Sequence, residues 1–259
     1  MAESLNILSR KLDTSLKDLQ EANEQLLEDM EKERQQELKR KEFVASVSHE
    51  LKTPLGIIKG FAEGIKDGIH QNKQDYYLDV IINEIETMDD LVMEMLELSR
   101  FELGNYKLSR QEFAMDSLVM EFNQRFRYLI DERHLKTHFD IEECNVLADR
   151  EKIEKVLNNL YSNAIRYSIN EGSINIKLKK QKNNMICYSI ENTGVHIPED
   201  ELDKIWDRFY RIEKSRNRVS GGTGLGLLIV KNILQMHESD FGAINTDKGV
   251  EFYFSLPEA

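Results

Sequence analysis

The sequence predicts a helical first part and an α+β second part: a coiled coil leads into a dimeric four-helix bundle, and an α/β sandwich follows. Three observations predict this. Apolar residues keep helical spacing from the start of the chain to about Ile65, with no Gly or Pro before Pro54. A second helical stripe follows after a short polar loop. From about residue 111 helical patterns alternate with strand patterns, the texture of a packed α+β unit. The 259 residues suffice for one large or two modest domains, and 40% hydrophobic content supports a real core. The 32% charged content predicts much exposed helix.

The elements follow in order. Leu12, Leu16, Leu19, Asn23, Leu26 and Met30 alternate at four and three residues, which is heptad spacing. Residues 31–42, E-K-E-R-Q-Q-E-L-K-R-K-E, hold one apolar residue, Leu38, and read as a solvated coiled-coil flank. A parallel two-stranded coil predicts a homodimer. Val44, Val47, Leu51, Leu55, Ile58, Ala62 and Ile65 carry the stripe onward through Pro54. The stretch D-G-I-H-Q-N-K-Q-D reads as a loop. A second helix at 75–103 shows Leu78, Ile81, Ile82, Ile85, Met88, Val92, Met95 and Leu96 on its stripe. Two such hairpins make a four-helix bundle. Gly104-Asn105 predicts the break. Beyond it, helices are expected at 116–134, 150–168 and 224–238, and the clearest strands are Ser173–Lys180, Met185–Asn192 and Gly249–Leu256, taken as antiparallel. The expected domains are therefore 1–42, 43–104 and 105–259.

A net charge of −12 makes the surface as a whole a poor match for nucleic acid or an anionic membrane. Any positive site must be local. Cys144 and Cys187 form no spaced metal or disulfide framework and read as buried thiols. No run approaches the ~20 apolar residues of a membrane span, and no signal peptide is visible, so the chain as given is expected to be soluble.

Four motifs carry chemistry. In S-V-S-H-E-L-K-T-P-L, Ser46 to Leu55, His49 lies two residues from both Val47 and Leu51, so it faces away from the apolar stripe. Thr53 is one turn later on the same face, continued by Gly56 and Gly60. A neutral imidazole is a good nucleophile near neutral pH, and the adjacent Glu50 can hold its tautomer. Pro54 cannot donate to the Glu50 carbonyl, which predicts a bend just past the His. A lone His here would read as an ordinary exposed one; the ordered set H-E-x-x-T-P points to function. In L-N-N-L-Y-S-N-A-I-R-Y-S, Asn159, Asn163, Arg166 and Tyr167 share about two turns. Taken alone this is a solvated face; with a phosphate nearby, the Asn oxygens suit Mg²⁺ and Arg166 suits the phosphate.

In I-E-N-T-G-V-H-I-P, strand alternation puts Ile186, Tyr188, Ile190 and Asn192 on one face, so Asn192 is the polar end of an apolar row. Gly194 admits close backbone approach. Finally G-G-T-G-L-G-L, Gly221 to Leu227, opens a helix rich in Leu, Ile and Val, an anion-site arrangement. It lacks the Lys-Ser/Thr of a P-loop and has no clean preceding strand, so it is neither a Walker motif nor a dinucleotide fingerprint. The basic segment before it, with Arg208, Arg211, Lys214, Arg216 and Arg218, reads as a lid contacting phosphates. His134, His138 and His237 have no partner at ligand spacing and read as structural or surface residues.

Together and in this order, these motifs resemble the bacterial sensor histidine kinases of two-component systems. S-H-E-L-K-T-P-L resembles the H box, L-N-N-L-Y-S-N-A-I-R-Y-S the N box, N-T-G-V-H-I-P the G1 box, W-D-R-F-Y-R the F box and G-G-T-G-L-G-L the G2 box. The resemblance implies a dimeric helical domain and an ATP-binding sandwich of the gyrase/Hsp90 type, using ATP and Mg²⁺. It implies that His49 is phosphorylated, that Glu50 is its catalytic carboxylate, and that Thr53 positions water for dephosphorylating the partner, a response-regulator receiver domain. It places Asn159 and Asn163 at Mg-ATP positions, with Asn163 as the metal ligand. Arg166 and Tyr167 fall on the phosphate and adenine sides, and Gly222, Gly224 and Gly226, with Leu227, on the lid hinge. The opening A-E-S-L-N-I-L-S-R-K-L resembles the last helix of a HAMP relay, which implies the cytoplasmic part of a membrane-anchored sensor. Asn192 stands where the family has Asp, and His196 where it has a second Gly. The competing reading is a catalytically degenerate dimeric signalling scaffold.

Overall fold

The computed structural model describes residues 2–68, 73–102, 107–212 and 223–259. The chain divides into two compact units, one ending at Glu84 and one spanning Ile85–Ala259. The expected break at Gly104-Asn105, and most of the loop before the second helix, lie outside the described residues.

In the first unit, helix α1 runs from Ala2 to Lys66 and continues through Pro54 without interruption. Pro54 takes away one backbone donor but does not end the helix, because the residues on both sides keep one apolar periodicity. Of the heptad positions, Leu16, Leu19, Leu26 and Met30 are all more than half exposed. Helix α2, Gln74–Glu102, follows. The hairpin is closed by aromatic edges: the Phe61 ring meets Tyr76 at 6.3 Å and Tyr77 at 5.0 Å, both edge-on. Gly64 leaves room for the Tyr77 ring, which a Cβ there would meet at 3.4 Å. Leu55, Leu78 and Ile82 stay 44–57% exposed.

The second unit begins with the last turns of α2, where Leu91 and Leu98 are buried. It continues as β1 (Gln111–Ala114), α3 (Met115–Glu132), β2 (Lys136–Ile141), β3 (Asn145–Ala148) and α4 (Arg150–Tyr167). The remaining elements are β4 (Ser173–Lys180), β5 (Met185–Thr193), α5 (Gly226–Met236), β6 (Phe241–Asn245) and β7 (Gly249–Pro257). Strands β1 and β3 form a small antiparallel ribbon, and a five-stranded sheet has the order β2-β4-β5-β7-β6. The three strands expected as antiparallel, β4, β5 and β7, pair so; the sheet is mixed because β2, which was not expected, pairs with β4 in parallel, Lys136 opposite Ser173. The chain between them passes through β3 and α4, and such a crossover returns the next strand in the same direction. Strands β1, β2, β3 and β6 were not expected from the sequence. They are four to six residues long, and although Lys136, His138 and Asp140 alternate with Thr137, Phe139 and Ile141 in β2, such a short run with few apolar residues gives a weak strand signal.

One face of the sheet is apolar and covered by α3, α4 and α5. Ile174, Ile176, Leu178, Tyr188, Ile190 and Phe254 are at most 1% exposed. Helix α4 meets them with Ile153, Val156, Leu157, Leu160, Tyr161, Ala164 and Ile165. Each Val, Leu, Ile or Phe among them contributes roughly 1.5–3 kcal/mol by leaving water. The other sheet face holds polar pairs such as Lys177 with Glu251 at 3.2 Å.

The start of α4 and the end of α5 are joined by a buried clasp. The Asp149 carboxylate caps α4 by accepting from Lys152 N at 3.2 Å, and accepts from Ser109 N at 2.9 Å. Asp149 N donates to His237 Nε2 at 3.0 Å, and His237 Nδ1 donates to the Ile233 carbonyl at 2.8 Å. Both ring nitrogens are therefore committed in the neutral form. Burial, with Arg110 nearby, holds the His237 pKa below the ordinary histidine value, the Ile233 carbonyl and Asp149 carboxylate opposing this. A depressed folded-state pKa gives stability that is fully present above the ordinary value and lost as pH falls through the folded value. Urea unfolding from pH 8 to 5 is therefore expected to show stability declining below about 6.5. His237→Leu should flatten that part of the profile and lower the plateau by about 1–3 kcal/mol, because the Asp149 N–H is left unpaired. Parallel profiles for the two proteins would refute the assignment.

Candidate functional site: an exposed histidine and a polar cleft

His49 lies on α1 in the first unit. Its side chain is 74% exposed, and its Nδ1 stands 3.7 Å from Glu50 Oε1. No hydrogen bond engages Nε2 among the described residues. Thr53 follows one turn later, its hydroxyl 3.4 Å from the His49 carbonyl. A Cβ at Gly56 or Gly60 would meet nothing within 4 Å, so the face stays small and open beyond the imidazole. The near carboxylate favours a proton on Nδ1 and leaves Nε2 as the nucleophilic nitrogen.

The second unit contains a cleft of about 730 Å³. Helix α4 supplies Lys155, Asn159, Asn163, Arg166 and Tyr167 to its wall, and Gly224, Gly226 and Leu227 come from the glycine motif at the start of α5. These residues meet because α4 uses its apolar face on the sheet, which turns the Asn and Arg positions to the rim. Asn159 Nδ2 donates to the Lys155 carbonyl at 3.0 Å, which leaves its oxygen directed elsewhere. That oxygen lies against Gly226 so closely that any side chain at 226 would displace it. Gly224 adopts φ +72°, and a Cβ there would stand 2.9 Å from Phe209 Cα. Phe209 N donates to the Gly224 carbonyl at 3.0 Å, which joins the two predicted box motifs. Of the basic segment, Arg211 lines the cleft. Gly222, Lys214, Arg216 and Arg218 lie outside the described residues.

Asn192 and Gly194 are not in the cleft wall. Asn192 ends the apolar row of β5 as expected and is 3% exposed. Gly194 is pressed against the end of α4: a Cβ there would come within 2.5 Å of the Tyr167 carbonyl. The neighbouring carboxylate, Glu191, points to the opposite sheet face. It accepts from Thr246 Oγ1 at 2.5 Å and Asn175 Nδ2 at 2.6 Å. Burial pushes its pKa up, but these hydrogen bonds and the nearby lysines outweigh it and leave the carboxyl below its usual range. His196 contacts the Thr246 carbonyl at 2.6 Å through Nε2 and pins the loop that follows β5.

Sequence reasoning missed the acidic side of the cleft. Asp90, Glu94 and Glu97 on α2, at i, i+4 and i+7, line it opposite α4. Lys155 Nζ pairs with Glu97 at 2.6 Å, and Thr223 Oγ1 donates to Glu94 at 2.5 Å. Burial raises the Glu94 pKa, reinforced by Asp90 and Glu97 and opposed by Thr223 and Arg166. The spacing was visible in the sequence, but an acidic stripe on a charged helix reads equally well as a solvated face. Among the described residues no group of three or more His, Cys, Asp or Glu could hold a metal. The donors available are amide oxygens, which hold Mg²⁺ only alongside phosphate and water.

Two family patterns match the chain. Residues 39–104 match the His Kinase A (phospho-acceptor) domain, and residues 148–259 match the histidine kinase-, DNA gyrase B- and HSP90-like ATPase. The sensor histidine kinase WalK of Bacillus subtilis (strain 168) is 34% identical over 235 residues, 88% of this chain and 38% of that protein. The sensor protein kinase WalK of Staphylococcus epidermidis (strain RP62A) is 32% identical over 243 residues, covering 90% of this chain and 39% of that protein. The chain thus spans about two fifths of the length of these relatives. Among solved structures, the Acinetobacter baumannii histidine kinase AdeS is similar with a TM-score of 0.69 and 27% identity, covering 81% of this chain and 97% of that one. The histidine kinase ThkA, solved in complex with the response regulator protein TrrA, gives a TM-score of 0.67 and 29% identity, with 84% of this chain and 61% of that one covered. With both matched domains in this order, and the five boxes falling on an exposed His, a polar cleft and the strand beside it, the chain belongs to the sensor histidine kinases of bacterial two-component systems.

Proposed function

We propose that this chain is an ATP-dependent histidine autokinase and phosphotransferase. Mg-ATP binds the second unit, the γ-phosphoryl passes to His49 Nε2, and the phosphohistidine then serves an Asp on a separate receiver domain. The observation that carries this reading is the imidazole of His49, 74% exposed and polarised by Glu50 through Nδ1. An exposed His with an adjacent carboxylate, in a pattern matching the phospho-acceptor domain, has its nucleophilic nitrogen free. The domain scheme follows: 1–42 continues a HAMP helix as a coiled coil, 43–104 dimerises and carries the phosphoryl group, and 105–259 binds ATP.

The donor set of the cleft fits the nucleotide. Asn159 and Asn163 offer hard oxygens to a phosphate-bound Mg²⁺, Asn163 as the direct ligand. Arg166 and Lys155 balance phosphate charge, and Mg²⁺ when bound would neutralise the transferring group. Asn192, the buried polar end of the β5 row, is suited to accept from the adenine amino group through its amide oxygen. The exposed Leu55, Leu78 and Ile82 support a homodimer through the hairpin. The receiver partner rests on the likeness to ThkA. No described helix is long and apolar enough to cross a membrane; a membrane anchor elsewhere in the protein rests on the HAMP resemblance alone.

The test is incubation of the purified chain with γ-labelled ATP and Mg²⁺. Acid-labile, alkali-stable label is expected on the wild type. His49→Gln should abolish it without weakening ADP binding, because His49 makes no core contact that the change would remove. A mutant that labels at the wild-type rate would end this reading, and unlabelled wild type would favour the degenerate scaffold.

Thr53→Ala should retain autophosphorylation and lose most response-regulator phosphatase activity, since its hydroxyl shares the His49 face. Equal dephosphorylation rates would remove that role.

Asn192 is tested by calorimetric titration with ADP. Asn192→Leu fits the apolar row and should nearly eliminate binding. Asn192→Asp should tighten it roughly fivefold, the value of ~1 kcal/mol from charge assistance. Unchanged affinity in Asn192→Leu would mean that the adenine is read elsewhere.

A further inference from the structure

Helix α4 ends without the glycine that most often satisfies a helix C-terminus. Ser168 follows it in an extended conformation, φ −64° and ψ 142°. The last carbonyls of the helix need donors, and an arginine from another helix supplies them. Arg133 is the residue that closes α3. Its Nη1 donates to the carbonyl of Ile165 and, at 2.9 Å, to that of Arg166. Its Nη2 donates to the Ser168 carbonyl at 3.0 Å and reaches Asn170 Oδ1 at 3.4 Å. The planar fork thus spans three carbonyls within four consecutive residues, and its charge sits at the negative end of the α4 dipole.

This clamp borders the cleft without entering it. Arg133 is absent from the cleft wall, whereas Arg166 and Tyr167, whose backbone it holds, are part of that wall. The same turn is tied on its other side to the end of β5. Ile169 N donates to the Thr193 carbonyl at 3.0 Å, and Ser168 pairs with Gly194 in an isolated bridge. The Arg133 carbonyl in turn accepts from Glu171 N at 3.3 Å. The last turn of α4 is therefore located against α3 by Arg133 and against Asn192 and Gly194 by the sheet.

We propose that Arg133 is a positioning residue for the nucleotide site: by clamping the end of α4 it sets Arg166 and Tyr167 at the distance from Asn192 that one bound nucleotide requires. This rests on the nucleotide reading above. Lysine cannot replace it, because one ammonium nitrogen cannot reach three carbonyls spread over this arc.

The experiment measures ADP affinity by calorimetry, with thermal unfolding in parallel, for wild type, Arg133→Lys, Arg133→Ala and Asp149→Ala. Asp149→Ala removes the cap at the opposite end of α4 and serves as the stability control. Arg133→Lys is expected to weaken ADP binding about tenfold, and Arg133→Ala more, at temperatures where both are folded; if Arg133→Ala does not fold, the Lys variant carries the test. Asp149→Ala is expected to unfold earlier with ADP affinity within about twofold of wild type. The inference is overturned if Arg133→Lys binds ADP like wild type, or if Asp149→Ala weakens binding as much as the Arg133 variants. Wild type that fails to bind ADP would remove the nucleotide reading itself, and the inference with it.

Discussion

Helix α4 has to meet two demands with one periodicity, and the rest of the second unit is arranged around that. Its apolar side chains cover the sheet, where Ile153, Val156, Leu157 and Tyr161 are fully buried. A helix that commits one face to a core can present polar groups only on the remainder. Asn159, Asn163 and Arg166 occupy that remainder and form one wall of the cleft. The position of the site is thus a consequence of core packing. The buried Asp149–His237 clasp fixes the start of the helix, and the Arg133 fork fixes its end. The fork end carries the cleft residues Arg166 and Tyr167, whereas the clasp end serves the stability of the sandwich.

The cleft is balanced in charge. The cations Lys155 and Arg166 on α4 face Asp90, Glu94 and Glu97 on α2. Glu97 is already engaged by Lys155, and Glu94 holds the Thr223 hydroxyl beside the Gly224 turn. Lys155 thus already has a carboxylate partner, so an anion binding to it would exchange one ionic contact for another. The net charge of −12 does not set the character of this cleft, because the relevant field is local and partly desolvated.

The first unit follows a different logic. Its histidine does not depend on burial. His49 is exposed because the helix places its apolar stripe on the other side, and the small residues Gly56 and Gly60 leave the approach open. Little tertiary structure is needed to expose an imidazole on a helix, whereas a polar cleft requires several segments to meet.

That difference decides what was legible in the sequence. Helical periodicity alone put His49 on the polar face, and strand alternation alone made Asn192 the buried end of the Ile186–Tyr188–Ile190 row, since both are local rules of geometry. The bounds of α3, α4 and α5 were readable to within about two residues for the same reason. The parallel pairing of β2 with β4 was not legible, because register between strands more than thirty residues apart depends on the crossover and not on either strand's own pattern. Nor could the sequence show that Lys155 meets Glu97, that Thr223 meets Glu94, or that Arg133 clamps α4. Each joins residues 32 to 129 positions apart, and a charged side chain has no periodicity that names its partner. The sequence by itself determined which faces were apolar and which residue types were available to the site; the tertiary structure decided which polar groups converge, because convergence comes from packing several elements on one core.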